Sequence, residues 1–236
     1  TAGTAQAGAG VSNFEALYLA SGATVDERAL TNNAGITTVI AAATGSYTAS
    51  TALATVTHMA TGTFTTTAAT DGAADALTFV MPIGAMTSAL SAANVEALTV
   101  SSTGVAATGT VINTITMSAA GSADLTSVTA VGTRGLSFTT LGTSLATVDA
   151  SGITGVGNPF TLSAAASDVD MTVTASANRP TVAATGIANT ITVGDGDNTI
   201  TGGEYRDDIT AGDGDNTITA GDGNNVVTTG RGDDTV

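Results

Sequence analysis

The chain has 236 residues, with 20 Asp or Glu against 5 Lys or Arg and a formal net charge of −15. A charge this negative argues against nucleic acid and anionic membrane surfaces as partners, because phosphates and lipid head groups carry the same sign. The absence of cysteine excludes disulfides and thiolate chemistry, and no apolar run of about 18 residues is present to span a bilayer. Cations are the expected counter-ions.

Short β-like runs recur at irregular intervals through the first three quarters of the chain. They lie at residues 17–19, 37–40, 77–80, 98–100, 112–117, 136–138 and 160–162. Most alternate apolar with small polar residues between Gly, Asn, Ser or Asp, which predicts strands and turns and favours a solenoid or a sandwich. The segment 82–93 lacks this alternation, so a helical turn or a loop is predicted there.

A short motif occurs twice. Residues 13–19, NFEALYL, recur as residues 94–100, NVEALTV, a displacement of 81 residues (94 minus 13). Such a repeat favours consecutive modules of one β-solenoid over a sandwich, with a boundary near Met81 and Pro82. The sequence therefore predicts an all-β chain with two parallel β-solenoid modules, 1–82 and 83–183, and very little helix.

From residue 184 onward the sequence repeats every nine residues. One phase of the repeat holds Gly194, Gly203, Gly212, Gly221 and Gly230, and another holds Ile191, Ile200, Ile209, Ile218, Val227 and Val236. Two nonapeptides close one turn, so residues two repeats apart are expected to stack. One inward aliphatic residue per side is too little burial to offset a chain entropy of about 1–2 kcal/mol per residue. Because half of the carboxylates lie in residues 194–236, bound cations are expected to hold the loops.

These units resemble the repeats-in-toxin (RTX) nonapeptide G-G-x-G-x-D-x-U-x, a calcium-binding β-roll repeat. The resemblance implies that residues 184–236 form an RTX β-roll, truncated at its C-terminal end, with Ca2+ as cofactor. It implies side-chain ligands at the sixth position of each unit: Asn189, Asp207 and Asn225 along one edge, and Asn198, Asn216 and Asp234 along the other. The family usually has Asp there. Since Asn offers one neutral oxygen, sites with two Asn are expected to bind calcium more weakly or to be empty.

Glycines at the second and fourth positions are expected to turn the backbone and present carbonyl oxygens, and carboxylates at the third and fifth positions are expected to face outward. The predicted metal-site residues are Asn189, Gly194, Asp195, Gly196, Asp197, Asn198, Gly203, Asp207, Gly212, Asp213, Gly214, Asp215, Asn216, Gly221, Asp222, Gly223, Asn225, Gly230, Gly232, Asp233 and Asp234. Tyr205 stands where glycine is expected, so its loop is predicted to be distorted. The alternative is that these Asx residues form turn hydrogen bonds without metal.

Other candidate sites are weaker. Residues 71–75, DGAAD, echo the nonapeptide loop, although an ordinary acidic turn is the preferred interpretation. Asp168 and Asp170 are expected on a solvated face, and His58, the only histidine, is interpreted as an incidental strand residue. No G-x-S-x-G, H-E-x-x-H or G-x-x-x-x-G-K-[ST] motif occurs. No catalytic residue is predicted, and the chain is not expected to be an enzyme.

The order of these features resembles crystalline surface-layer proteins of the Caulobacter type. The resemblance is carried by residues 71–77, 95–100 and 148–155 together with the nonapeptides. It implies a structural protein, exported by a type I system, that self-assembles into a calcium-dependent lattice on the bacterial cell surface. The expected partners are copies of itself, calcium ions and, through a region outside this sequence, surface polysaccharide.

Two alternatives stay open: an RTX adhesin stalk, and the secretion module of a type I exported hydrolase. The chain begins without Met and stops within a repeat, so it is expected to be a piece of a longer polypeptide.

Overall fold

The computed structural model describes residues 16–26, 38–49, 55–68, 75–83, 86–103, 112–117, 123–141, 144–154, 160–164, 171–175, 181–183, 189–203 and 205–236. Within these ranges all regular structure is β, which confirms the all-β prediction. None of the described residues forms a helix long and apolar enough to cross a membrane.

The strands form two parallel sheets, one 11-stranded and one 10-stranded. Sheet A contains the odd-numbered strands: β1 (Ala16–Leu19), β3 (Thr38–Ala41), β5 (Thr55–His58), β7 (Ala76–Met81), β9 (Ala97–Ser102), β11 (Ser127–Gly132), β13 (Thr147–Ile153), β15 (Met171–Ala175), β17 (Asn189–Val193), β19 (Asp208–Thr210) and β21 (Val226–Thr228). Sheet B contains the even-numbered strands: β2 (Ala23–Asp26), β4 (Gly45–Ala49), β6 (Gly62–Ala68), β8 (Thr87–Ala93), β10 (Ile112–Met117), β12 (Gly135–Leu141), β14 (Phe160–Ala164), β16 (Thr181–Ala183), β18 (Thr199–Thr201) and β20 (Thr217–Thr219).

Each strand pairs with the strand two places along the chain, so the chain alternates between the sheets and every coil adds one strand to each. This is the parallel β-solenoid predicted from the sequence. Both sheets continue without a break in strand order through residue 82 and into the nonapeptides, where β15 pairs with β17 and β16 pairs with β18. The nonapeptide coils therefore extend the upstream solenoid.

The prediction of a helical turn or loop over residues 82–93 is wrong, because Thr87–Ala93 forms β8. Burial alternates along this strand, with Ser88, Leu90 and Ala92 facing the interior. Only one of these three is a large apolar residue. The period of two was hidden because Ser and Ala occupy inward positions as well as outward ones.

The repeated motif at residues 94–100 forms a corner followed by β9. Asn94 is the one non-glycine residue with positive φ in the described part of the chain, at 59°, a conformation that Asn tolerates better than most residues. The Glu96 carboxylate accepts a hydrogen bond from the Asp75 backbone N–H at 2.6 Å. Glu96 therefore ties its corner to the preceding coil.

Threonine aligns in register across the coils. One column of sheet B runs through Thr87, Thr114, Ser137, Thr161, Thr181, Thr199 and Thr217. Successive members are about 4.7–4.9 Å apart, the usual spacing of paired strands. β-branched residues suit the outer surface of a sheet, and Thr87, Thr199 and Thr217 of this column are exposed.

His58 ends β5, as a strand residue, but it is not incidental. Its ring is fully buried and packs between Phe64 and Phe79, with ring centroids 6.1 and 5.6 Å away. Nδ1 lies 2.8 Å from the Ser88 Oγ, and Nε2 contacts the Ala43 carbonyl oxygen. Burial lowers the pKa of His58, and the hydrogen bond with Ala43 opposes part of that shift. Two weaker candidates, Asp168 with Asp170 and most of the 71–75 loop, lie outside the described residues.

Candidate metal site

The nonapeptide coils turn at two edges of the solenoid. At the first edge, corners 194–198, 212–216 and 230–234 follow strands of sheet A. At the second edge, corners 203–207 and 221–225 follow strands of sheet B. Equivalent corners are stacked along each edge, because the strands that lead into them pair in register.

The predicted aliphatic stacks form inside these coils. Ile209 pairs with Ile191 and Val227, and Ile200 pairs with Ile218. Val236, predicted as the next member of the second stack, is 72% exposed although Thr235 beside it bridges to Thr217. The Ile218 N–H donates to the Thr235 carbonyl oxygen at 2.8 Å, so the last residues continue the register of the second stack.

At the first edge the sixth-position side chains form a hydrogen-bonded ladder. The Asn198 Nδ2 donates to the Asn216 Oδ1 at 2.7 Å, and the Asn216 Nδ2 donates to the Asp234 Oδ1 at 2.8 Å. The same two oxygens also accept from the backbone N–H groups of Asn198 and Asn216. Each rung thus binds the side chain and the backbone of the residue 18 positions earlier.

At the second edge Asp207 is the central rung. Its Oδ1 accepts from the backbone N and the Nδ2 of Asn189 at 2.9 and 2.6 Å, and its Oδ2 accepts from the Gly203 N–H at 2.9 Å. The Asp207 N–H in turn donates to the Asn225 Oδ1. Both predicted sets of sixth-position residues are therefore brought together, each along its own edge.

These ladders lie inside the coils. Asn189, Asn198, Asp207 and Asn216 are at most 2% exposed, while Asn225 and Asp234 in the last coils are half-buried. The Asn198 Oδ1 is buried and accepts no hydrogen bond from the described residues. That the sixth-position side chains form a buried layer was not predicted from the sequence. The pattern that indicates it is an Asn or Asp at every sixth position, two residues before an inward aliphatic residue.

The fourth position requires glycine at most corners. Gly214 has a φ of +131°, and a Cβ added there would lie 2.5 Å from the Gly196 backbone. Tyr205 occupies the equivalent position of corner 203–207, and a Cβ added to Gly223 in the next coil would lie 2.6 Å from its backbone. The distortion of this corner stays a prediction.

The third- and fifth-position carboxylates face outward as predicted: Asp195, Asp197, Asp213, Asp215, Asp222 and Asp233 are all exposed. At the first edge they also stack. Asp195 accepts from the Asp213 N–H at 3.0 Å, and Asp215 accepts from the Asp233 N–H at 2.9 Å. The first-edge corners carry six Asp and one Arg, a net −5, whereas the second-edge corners carry three acids and one Arg, a net −2. Stacked like charges repel one another, so cations are expected to gather at the first edge above all.

Asp234 is the carboxylate with the clearest preference for its charged form. Hydrogen bonds from the Asn216 side chain and backbone, joined by one from Thr229, hold the pKa of Asp234 below its usual value. The ionised carboxylate lies at the same corner as Gly230 and Gly232, whose carbonyl oxygens suit a hard cation. This corner fits calcium.

The Asn corners fit calcium less well, because the Asn amides already contact the corner carbonyls. The Asn198 Nδ2 donates to the Gly194 carbonyl oxygen at 2.9 Å, and the Asn225 Nδ2 donates to that of Gly221 at 3.1 Å. Across the described part of the chain, no three His, Asp or Glu side chains converge on one point. An ion at the corner of Asp207 or Asp234 would therefore depend on backbone carbonyls in addition to the single sixth-position carboxylate.

The comparisons with known proteins agree with the repeat described above. Residues 184–204 and 201–236 match the family described as RTX calcium-binding nonapeptide repeat (4 copies). No curated protein and no solved structure matches the chain. Calcium is the ion that this repeat family binds, as the sequence predicts. The C-terminal coils of this solenoid, residues 184–236, are thus RTX calcium-binding nonapeptide repeats.

Proposed function

We propose that this chain is a structural segment of a secreted bacterial surface-layer protein whose copies assemble into a calcium-dependent lattice on the cell surface. RTX repeats suggest a secreted RTX-type protein, and a β-solenoid that carries them is typically structural. The observation that supports the proposal best is the continuity of both sheets from β1 to β21. The calcium-binding repeats lengthen a rod, which suits a building element.

The mechanism we propose is a calcium-controlled folding switch. At low intracellular calcium the stacked carboxylates of the first edge repel one another, and the acidic loops stay disordered, which suits type I export. Outside the cell, calcium at about 0.1–1 mM occupies corners of this kind, and binding contributes to folding because the site does not exist in the unfolded chain. The ligands would be sixth-position oxygens together with carbonyl oxygens of the second- and fourth-position glycines. Surface polysaccharide would be contacted through a region outside this sequence.

The same rod would also serve as the stalk of an RTX adhesin. A lattice former associates laterally when calcium is added, whereas a stalk stays monomeric and stiffens. The secretion module of an exported hydrolase is the third candidate, and it requires a catalytic domain elsewhere in the protein. The long solenoid upstream of the repeats favours the first two candidates.

Negative-stain imaging of the purified protein, with calcium and with chelator, tests the proposal. Ordered sheets that form only with calcium are the expected result. Dispersed rods under both conditions would overturn the lattice and favour the stalk.

A further inference from the structure

We propose that an asparagine at the sixth position takes the place of calcium at its own corner. On this reading, only the corners that end in Asp207 and Asp234 need the ion. The inference rests on the proposed calcium binding of these repeats and assigns it to particular corners.

The amide of Asn216 shows the substitution most fully. Its Nδ2 donates to the carbonyl oxygens of Gly214 and Gly212, at 2.9 and 3.3 Å, and to the Asp234 Oδ1 at 2.8 Å. These acceptors are two backbone carbonyls of one corner and a carboxylate oxygen of the next coil. A calcium ion selects oxygens of the same kinds. The NH2 group thus gathers the oxygens that a cation would otherwise gather.

Two other corners repeat the arrangement. The Asn225 Nδ2 donates to the carbonyl oxygens of Gly221 and Asp222, at 3.1 and 3.3 Å. The Asn198 Nδ2 donates to the Gly194 carbonyl oxygen at 2.9 Å and to the Asn216 Oδ1 at 2.7 Å. In each case the neutral amide donates to carbonyls at the start of its own corner, so that corner is closed by protein atoms.

Aspartate cannot do this. An ionised carboxylate has acceptors only, so Asp207 and Asp234 offer no hydrogen to the carbonyl oxygens of their own corners. The Gly203 N–H reaches the Asp207 Oδ2, but no side-chain donor of either aspartate reaches the corner carbonyl oxygens, and a cation can supply that contact. Calcium dependence is therefore expected at corners 203–207 and 230–234.

The order of Asn and Asp along each edge separates the sixth-position carboxylates from one another. The first edge reads Asn198, Asn216, Asp234 and the second reads Asn189, Asp207, Asn225. No two sixth-position carboxylates are neighbours in a stack, so none of them faces a like charge one coil away.

Two adjacent residues of the full chain provide a matched test. Asn225 is half-buried at the sixth position of its corner, and Asn224 is exposed at the fifth. Asn225→Asp and Asn224→Asp add the same charge to the same corner, but only the first removes the amide that contacts the carbonyls. Calcium binding by isothermal titration calorimetry and melting with calcium and with chelator would be measured for both.

We expect Asn225→Asp to bind about one calcium ion more than the wild type, and to melt lower in chelator and higher in calcium. Asn224→Asp should keep the wild-type number of ions. A wild type that binds calcium, with both variants alike in ion number and melting, would overturn the inference and leave the proposed function standing. A wild type that binds no calcium would overturn both.

Asp234→Asn provides a second test that does not depend on the first variant folding. It should bind about one ion fewer than the wild type and show a smaller gap between its melting temperatures in calcium and in chelator. An unchanged number of ions in Asp234→Asn would contradict the inference.

Discussion

The upstream coils and the nonapeptide coils share two sheets but are stabilised differently. Upstream, the interior holds large side chains, including Phe64, Phe79, Phe138 and Phe160, all of them buried. Among the described residues of the nonapeptide coils, the apolar interior holds no aromatic ring: it consists of four isoleucines and the smaller Val193 and Ala211, beside the Asx ladders. The expectation of one inward aliphatic residue per side is therefore too low where Val193 and Ala211 are also buried. One solenoid can therefore be closed by apolar burial at one end and by polar ladders with cations at the other. The two ends should respond to different perturbations.

The largest effect is expected from a cavity in the upstream core. Phe79 is fully buried, so Phe79→Ala should lower the free energy of unfolding by about 3–5 kcal/mol. Denaturant unfolding followed by circular dichroism would measure it, with Thr78→Ala on the outward side of the same strand as control. Added calcium should not restore the lost stability, and restoration would contradict the division between the two ends.

Removal of calcium should act on the other end. At a calcium concentration about 100 times the dissociation constant, each bound ion stabilises the fold by about 2.7 kcal/mol, and chelation removes this contribution. Hydrogen exchange with and without chelator would locate the change, expected at amides of residues 189–236. If the amides of β7 and β9 lost as much hydrogen-exchange protection as those of residues 189–236, the solenoid would be one cooperative unit.

A smaller effect is expected at the glycine corners. Gly214→Ala places a Cβ against the Gly196 backbone at a φ of +131°, and strain of this kind costs about 1–3 kcal/mol. Thermal melting in saturating calcium would measure it. Thr219→Ala, an exposed strand position of the same unit, is the control and should change stability by less than about 0.5 kcal/mol. A Gly214→Ala variant as stable as the control would show that the corner relaxes.

The smallest effect follows from the proton on His58. Because the folded pKa is lowered from 6.5, the unfolded chain binds the proton more readily, and stability should fall as the pH drops below the unfolded value, down to the folded pKa. As His58 is the only histidine, His58→Gln should flatten this dependence. Unfolding at about pH 7.5 and about pH 5.5, both in chelator to exclude effects on calcium binding, would measure it. Parallel curves for both proteins would contradict the assignment to His58.

Much of the nonapeptide region could be predicted from its residues. A strict period of nine brings Ile200 onto Ile218 and Asn198 onto Asn216 in any solenoid with two repeats per coil. The outward position of Asp195 followed from the same count. The direction of the Asn amides could not be predicted in this way. An Asn that donates hydrogen bonds and an Asn that binds a metal occupy the same position of the repeat.

The upstream coils were less predictable, because their lengths vary and small residues occur on both faces. Thr87–Ala93 was missed for that reason. The pairing of β7 with β9 joins the modules predicted on either side of residue 82, and the bounds of those modules remain a proposal.

By itself, the sequence determined the all-β composition of the chain, its parallel coils, its acidic corners and its calcium-binding repeats, because each depends on residue type and spacing along one strand or corner. Only the tertiary structure decided that His58 lies between two phenylalanines, that Asn216 bonds the carbonyls of its corner, and that Asp207 is buried among N–H donors. Those facts depend on which atoms of neighbouring coils come within hydrogen-bonding distance. A period along the chain predicts which residues stack, but it does not predict where the individual side-chain atoms lie.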